Sequence, residues 1–303
     1  MTKVGAGGTA VMALVASSAL WGISWYPFRL LAAEGMSGLW AIIVTELVAT
    51  LFCFVLFGRR MVGMRQGAGA LVLIGLVGGA TNTAFVLGTL HGEVLRVTLL
   101  LYLSPLWTLF LARWLLDEKI DAAGIGVVAL ALAGAAVMLG TSVLAPSAPA
   151  ASGIADMLGL GAGFTYAIYN VVSRRASSVS VPHKAFAGSL GSTVAAALVL
   201  PFVVIPAWPQ TVSAMSWAIV VATGLLLVLV VMLMQYGLMR LPAARANVIL
   251  VCELVFAAVS AWWLANETPG MREFIGGLLI VSAGLLSSRI GQSDMKNPII
   301  QPN

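Results

Sequence analysis

The sequence predicts an all-α membrane protein of ten transmembrane helices, arranged as two inverted five-helix repeats. Three observations lead there. First, 60% of the 303 residues are hydrophobic and 9% are charged, against roughly 25% charged in a soluble domain. Too few polar side chains exist to cover a globule in water, and lipid suits the outward apolar face. Second, ten apolar windows approach the length of about 20 residues that crosses a bilayer. Third, a set of scarce residues recurs. Gly88, Arg96, Trp114 and Glu118 return 149 positions later as Gly237, Arg245, Trp263 and Glu267. After a one-residue slip, Gly126 and Gly134 return 150 positions later as Gly276 and Gly284. Each copy holds an odd number of spans, so the second must enter the membrane upside down relative to the first.

Taken in order, the first span covers 9–31. It exceeds the roughly 7–15 apolar residues of a cleavable leader and reads as a signal-anchor. Spans at 38–57, 68–90, 93–115 and 122–141 complete a first repeat, 1–141. The uncharged Pro/Ala/Ser-rich segment 142–152 is the expected extracytoplasmic linker. Spans at 153–174, 184–205, 215–238, 243–265 and 271–290 form the second repeat, 153–290, and 291–303 is a tail. Breaker residues separate them: Gly58-Arg59-Arg60, Pro206 to Pro209, and Thr268-Pro269-Gly270.

Basic residues resist translocation and so mark the cytoplasmic side. With the amino terminus inside, Lys3, Arg59, Arg60, Arg65, Arg113, Lys119, Arg174, Arg175, Lys184, Arg240, Arg245, Arg289 and Lys296 all fall inside. Only Arg29, Arg96 and Arg272 fall outside. Both termini are expected in the cytoplasm, and losing one span would flip every later loop. A weaker echo links the first helices of the two copies, where Trp21 and Arg29 match Tyr166 and Arg174 at an offset of 145.

The net charge of +5 and the pI near 9.6 come from scattered loop residues. Membrane orientation explains them better than nucleic-acid binding. Cys53 and Cys252 lie in apolar stretches with no metal-like spacing, so neither a disulfide framework nor a metal site follows, and no cofactor is expected.

The stretch Tyr102-Leu103-Ser104-Pro105-Leu106-Trp107, then Trp114-Leu115-Leu116-Asp117-Glu118-Lys119, then Gly126 and Gly134, resembles the end of an EamA repeat of the drug/metabolite transporter superfamily. Ala19-Leu20-Trp21-Gly22 to Arg29 is similar to that family's opening segment. The second half repeats the ending as Trp263-Leu264-Ala265-Asn266-Glu267, Gly276 and Gly284, so the resemblance spans about residues 10–290. It implies a ten-helix transporter, generally an exporter of amino acids or other small metabolites. Spans one to four and six to nine would surround a central cavity, with five and ten outside. Bacterial inner-membrane exporters of aromatic amino acids are the closest resemblance. One departure is that Ser104-Pro105 in the first copy becomes Glu253-Leu254 in the second.

Ionisable groups inside spans cost roughly 2.5–3.5 kcal/mol on insertion scales and are functional candidates by default. Glu46 and Glu253 are two such groups. Each could carry a coupling proton, receive a substrate ammonium, or simply pack as a hydrogen-bonded acid. Trp21 and Trp25 are one helical turn apart with Ser24 close by, and Tyr166, Tyr169 and Asn170 share a face of the repeat-related sixth span. Such aromatic-polar faces suit a cavity for an apolar side chain with a polar head, although aromatics at this spacing also pack or anchor the interface. Asn82, Phe85, Tyr102, Trp107, Tyr236 and Asn247 form a second tier of substrate-binding candidates. Pro105 could break the fourth span and expose a carbonyl, or only kink it. His91, at the outer end of the third span, reads as a pH sensor or a surface histidine. Trp40, Trp208 and Trp217 read as interface anchors. Asp117-Glu118-Lys119-Ile120-Asp121 is a gate latch or a capped surface turn. The pairs Gly75/Gly79 and Gly159/Gly163 are small-xxx-small helix contacts. No Gly-x-x-x-x-Gly-Lys-Ser/Thr loop exists, so ATP-driven transport by this chain alone is unsupported.

These features favour a carrier in the bacterial inner membrane, working by alternating access. It would export aromatic or other neutral amino acids, or related metabolites, with apolar cationic drugs as the alternative cargo. A membrane-embedded enzyme would need clustered acids, histidines or metal ligands, and the two histidines stand far apart. A channel would need a continuous polar stripe, which is not visible. Arg29 and Arg96 could meet a carboxylate at the outer helix ends or snorkel to the interface. The expected partners are a small-molecule substrate and the lipid bilayer, with no nucleic acid, and a monomer suffices.

Overall fold

The computed structural model describes residues 3–58, 67–104, 106–108, 110–111, 122–139, 150–176, 178–203, 208–209, 211–241 and 249–296. Among them every regular element is helical, with no strand. The first span is two helices, Lys3–Ile23 and Tyr26–Ala33. Pro27 lacks an N–H and its ring would meet the Ile23 carbonyl, which ends the first helix. Ser24 occupies the break, donating from its hydroxyl (2.7 Å) and its N–H (3.0 Å) to the Trp21 carbonyl.

The second and third spans are Gly38–Phe57 and Ala68–His91, entered after Gly35 (φ +87°) and Gly67 (φ +88°). Only glycine takes that left-handed turn at little cost. Val94–Leu101 opens the fourth span and Ala122–Leu139 is the fifth. In the second copy the spans are Ala150–Arg175, Val181–Val199, Ala214–Leu238, Cys252–Ala265 and Met271–Lys296. The eighth is capped by Ser213, whose hydroxyl accepts the Ser216 N–H at 3.0 Å.

Several ends differ from expectation, the first helix starting at Lys3 and the seventh span running Val181–Val199. The sixth span starts at Ala150, inside the expected linker, and the tenth continues to Lys296, into the expected tail. Hydropathy marks only the part of a helix in hydrocarbon, while backbone hydrogen bonding continues into polar interfacial residues.

Gly8–Ala33, Gly38–Phe57, Ala68–His91, Val181–Phe202 and Ala214–Leu238 are long and apolar enough to cross a membrane. Ala150–Arg175 and Met271–Lys296 have 26 residues each, about 39 Å of helix. Leu51, Phe54, Val55, Leu229, Val255, Val259, Phe274 and Leu278 are exposed on the outer surface. Water would penalise that apolar belt, whereas lipid accepts it.

Eight spans close a ring in the order one, eight, two, seven, three, six, four, nine and back to one. Exchanging each span for its repeat counterpart returns the same ring. Spans five and ten pair with each other, with ten also against four. Residue contacts obey the same exchange. A methyl group added at Gly88 would lie 3.5 Å from the Ala155 carbonyl, and one at its echo Gly237 would lie 3.0 Å from the Ala10 carbonyl. Ala10 and Ala155 are themselves 145 positions apart, the offset of Trp21 and Tyr166.

Glycine permits the tight crossings. Gly75 and Gly79 pack against the backbone of the seventh span at Ala187 and Gly191. Gly159 and Gly163 pack on Val97, Leu100 and Leu101 of the fourth, and Gly134 meets the Gly276 carbonyl between spans five and ten.

Side-chain bonds mark two opposite faces. One carries Arg29, Gly92, Glu267 and, through a bond of 3.4 Å to Ser213, Glu34. The other carries Thr9 and Tyr236, whose hydroxyls are 3.4 Å apart.

Candidate functional site

Spans three, four, six and nine bring one polar group together inside the ring. Close packing of the sixth span on the fourth through Gly159 and Gly163 sets Tyr166 beside Tyr102. The Tyr102 hydroxyl donates to the Leu250 carbonyl at 3.4 Å, with the Glu253 carboxyl close by. Tyr166 is close to the same carboxyl and to Asn170, one turn further along. Its ring stacks on Tyr169 with centroids 6.1 Å apart and planes 8° from parallel. Space for Tyr169 comes from Gly78, where an added methyl would stand 3.3 Å from the ring.

A second polar group joins spans two, three and seven. Asn82 donates from Nδ2 to Glu46 Oε1 at 2.7 Å, and Ser189 of the seventh span is close to the same carboxyl. Glu46 is buried. The neighbouring hydroxyls are committed to their own helix, Thr45 to the Ala41 carbonyl (2.6 Å) and Thr50 to that of Glu46 (2.7 Å). Gly78 and Asn82 are one turn apart, so the third span connects the two groups. A bond of 2.8 Å from Thr81 to Thr165 ties it to the sixth. Together the groups offer two carboxylates, two amides, phenolic hydroxyls and aromatic faces, a set able to hold an ammonium or a proton beside apolar surface.

The face carrying Arg29 is closed by charge. Arg29 donates to the Thr89 carbonyl (2.8 and 3.0 Å), the Gly92 carbonyl (2.9 Å) and Glu267 Oε1 (2.9 Å). The other Glu267 oxygen accepts the Val94 N–H at 2.8 Å, at the start of the fourth span. Glu267 is aimed there by the end of the ninth span. Asn266 takes a left-handed conformation (φ 55°) and the Glu267 N–H bonds back to Ala261 at 3.1 Å. Nearby, Arg96 grips Asp156 with two bonds of 2.6 and 2.7 Å.

The model of the EamA-like transporter family matches residues 8–140 and 153–289. The chain belongs to that family. An uncharacterised transporter of Archaeoglobus fulgidus is 27% identical over 212 residues, 69% of this chain and 72% of that protein. A crystal structure described only as that of a protein shares the fold, with a TM-score of 0.60 at 18% identity, covering 93% of this chain and 98% of that one.

In this EamA-like transporter the residues singled out from sequence scatter unevenly. Trp21 and Trp25 do not sit on successive turns of one helix, because the break at residues 24 and 25 falls between them. Trp25 is buried among Val94, Ala261 and Leu264, with its Nε1 donating to Ser260 Oγ at 3.0 Å and Arg29 4.9 Å above its ring. Phe85 is a core residue among Phe28, Ile42 and Val86. Trp107 packs edge-on to Phe164 with centroids 5.6 Å apart.

Tyr236 lies at the far face, with Arg240 stacked 3.7 Å over its ring, away from the polar groups above. His91 is exposed, its Nδ1 2.7 Å from the Leu87 carbonyl. Trp40, Trp208 and Trp217 pack on one another where spans two, seven and eight meet. Asn247, Pro105, Arg245 and the 117–121 cluster lie outside the described residues.

Arg29 and Arg96 each meet a carboxylate of the chain itself. Sequence reasoning overlooked Ser189 and Ser260, since serine in an apolar helix carries no pattern that distinguishes a partner-seeking hydroxyl from one bonded to its own turn. Glu267 was visible as part of the 149-residue echo, but its partner was not.

Proposed function

We propose that this membrane transporter is a secondary carrier of the bacterial inner membrane that exports aromatic or other neutral amino acids, or related small metabolites. It works by alternating access within the eight-span ring. The observation that carries the reading is the Glu253 carboxyl, close to Tyr102 and to the Tyr166–Tyr169 stack, with Asn170 one turn along. An ammonium suits the carboxylate and the ring faces, a carboxylate suits the amide and phenol donors, and an apolar side chain suits the stacked rings. Glu46, held by Asn82, is the second candidate for carrying a coupling proton. The charge bias of the loops supports cytoplasmic termini, which would put the Arg29 face outside. A monomer contains the whole ring.

A second reading, export of apolar organic cations, is favoured by the same carboxylate set among aromatic rings. Liposome counterflow separates the two. A panel of labelled amino acids and a lipophilic phosphonium cation are tested with and without a pH gradient. Exchange of aromatic or neutral amino acids, falling at least tenfold in Tyr169→Ala and in Glu253→Gln with folding intact, is the expected result. Exchange of the cation alone would transfer the assignment to the second reading, and unchanged exchange in both variants would remove the site.

A further inference from the structure

We infer that Arg29 and Glu267 are an outer gate: their ion pair ties four spans of the ring together at one face and must part for the ring to open there. The inference rests on the carrier reading above. Four observations carry it. Arg29 is a residue of the first span that gathers the Thr89 carbonyl at the end of the third, the Gly92 carbonyl just after it, and the carboxylate that follows the ninth. Glu267 uses its second oxygen on the Val94 N–H, so it also holds the start of the fourth. Beneath the pair, Trp25 fills the space between the first, fourth and ninth spans, its indole N–H on Ser260, and Ser260 in turn bonds the Gly22 carbonyl at 3.0 Å. Finally, the pair is reachable by water, with side chains 28% and 16% exposed and a shallow cleft lined by Glu93, Leu95, Thr268 and Glu273 beside it.

Those features make the pair suited to a gate. A fully buried pair resists separation because each charge would be stranded, whereas one at the rim can exchange its partner for water. Spans one, four and nine are consecutive in the ring, and the third is held through carbonyls at its end. Releasing one carboxylate therefore frees the mouth of the ring without dismantling its helix contacts. Arg96–Asp156, at 12% and 8% exposure, is the contrasting case, a more buried pair between spans four and six.

The test uses cysteine accessibility, which needs no substrate. In full-length protein with Cys53→Ala and Cys252→Ala, Tyr169→Cys supplies a thiol inside the ring. Oriented vesicles are treated with a membrane-impermeant maleimide from the Arg29 face or from the opposite face. Glu267→Gln keeps an oxygen for the Val94 N–H and removes only the charge, and Arg29→Ala removes the other partner. The expected result is labelling from the Arg29 face at least tenfold faster in both variants, with the rate from the opposite face unchanged or lower.

Unchanged rates would overturn the gate, as would equal acceleration from both faces, which signals general loosening, or a thiol that no variant exposes to either face. Amino-acid counterflow by the unsubstituted protein is measured separately. Counterflow without a labelling shift removes the gate and leaves the carrier, whereas a labelling shift without counterflow keeps the gate and removes the assigned cargo.

Discussion

Arg96 and Asp156 face each other from the fourth and sixth spans through two short bonds, with Glu273 of the tenth span 3.9 Å from the guanidinium. A paired geometry of this kind offsets the cost of holding charge between helices only while both partners are present. Asp156→Asn removes the two-bond partner and leaves only the more distant Glu273 carboxylate beside the guanidinium, and unfolding free energy should fall by up to about 3–5 kcal/mol, the range for breaking a buried pair. The measurement is denaturation in detergent followed by tryptophan fluorescence, and a loss under about 1 kcal/mol, as for a surface pair, would show that the pair is solvated in practice. The same logic at Trp25 explains why a large polar-tipped ring can be buried: Ser260 accepts its N–H, and the Gly22 carbonyl accepts the hydroxyl of Ser260.

At the scale of helices, close crossing is set by residues without side chains. Gly191 lies so near the Gly75 carbonyl that any added carbon would collide with backbone, while Gly188, one turn earlier, faces open space. Gly191→Ala should therefore push spans three and seven apart and sharply reduce folded yield. Gly188→Ala should be neutral or slightly stabilising, since alanine is the better helix former by about 0.5–1 kcal/mol. Size-exclusion profiles of the two purified variants decide it, and matching profiles would mean the crossing relaxes freely. The break in the first span belongs here too. Pro27 was in plain sight, but the consequence for Trp21 and Trp25 was not, because a period of 3.6 residues describes only an unbroken helix.

For the whole molecule, ring closure and the exchange of counterparts follow from an inverted duplication. Ten crossings leave both chain ends on one face. Impermeant labelling of cysteines placed in the amino and carboxyl tails of the intact protein should modify both from the same side of the membrane. Modification from opposite sides would be incompatible with an even number of crossings.

Much of this was legible beforehand, from particular residues. The ten windows, the offset from Gly88 to Gly237 and the odd count per copy were enough to anticipate two inverted bundles. The aromatic face of the sixth span, Tyr166, Tyr169 and Asn170, was also legible, since helical spacing brings these three residues onto one side. Phe85 and Tyr236 were not separable from the cavity residues, because an aromatic in a span reads the same whether it packs, anchors or lines a path.

The order of residues already specifies where the chain meets lipid, how many times it crosses and that its halves are related head to foot. Those are matters of composition and of order along the chain, and hydrophobic length reports them directly. Which groups meet was settled in three dimensions: Asn82 with Glu46, Tyr102 with the Leu250 carbonyl, Arg29 with Glu267. Each partner lies on a different span, and a helix placed in a bilayer carries no record of which neighbour its polar face will find. That choice is made by the close approach of glycine surfaces and the need to satisfy every charge away from water.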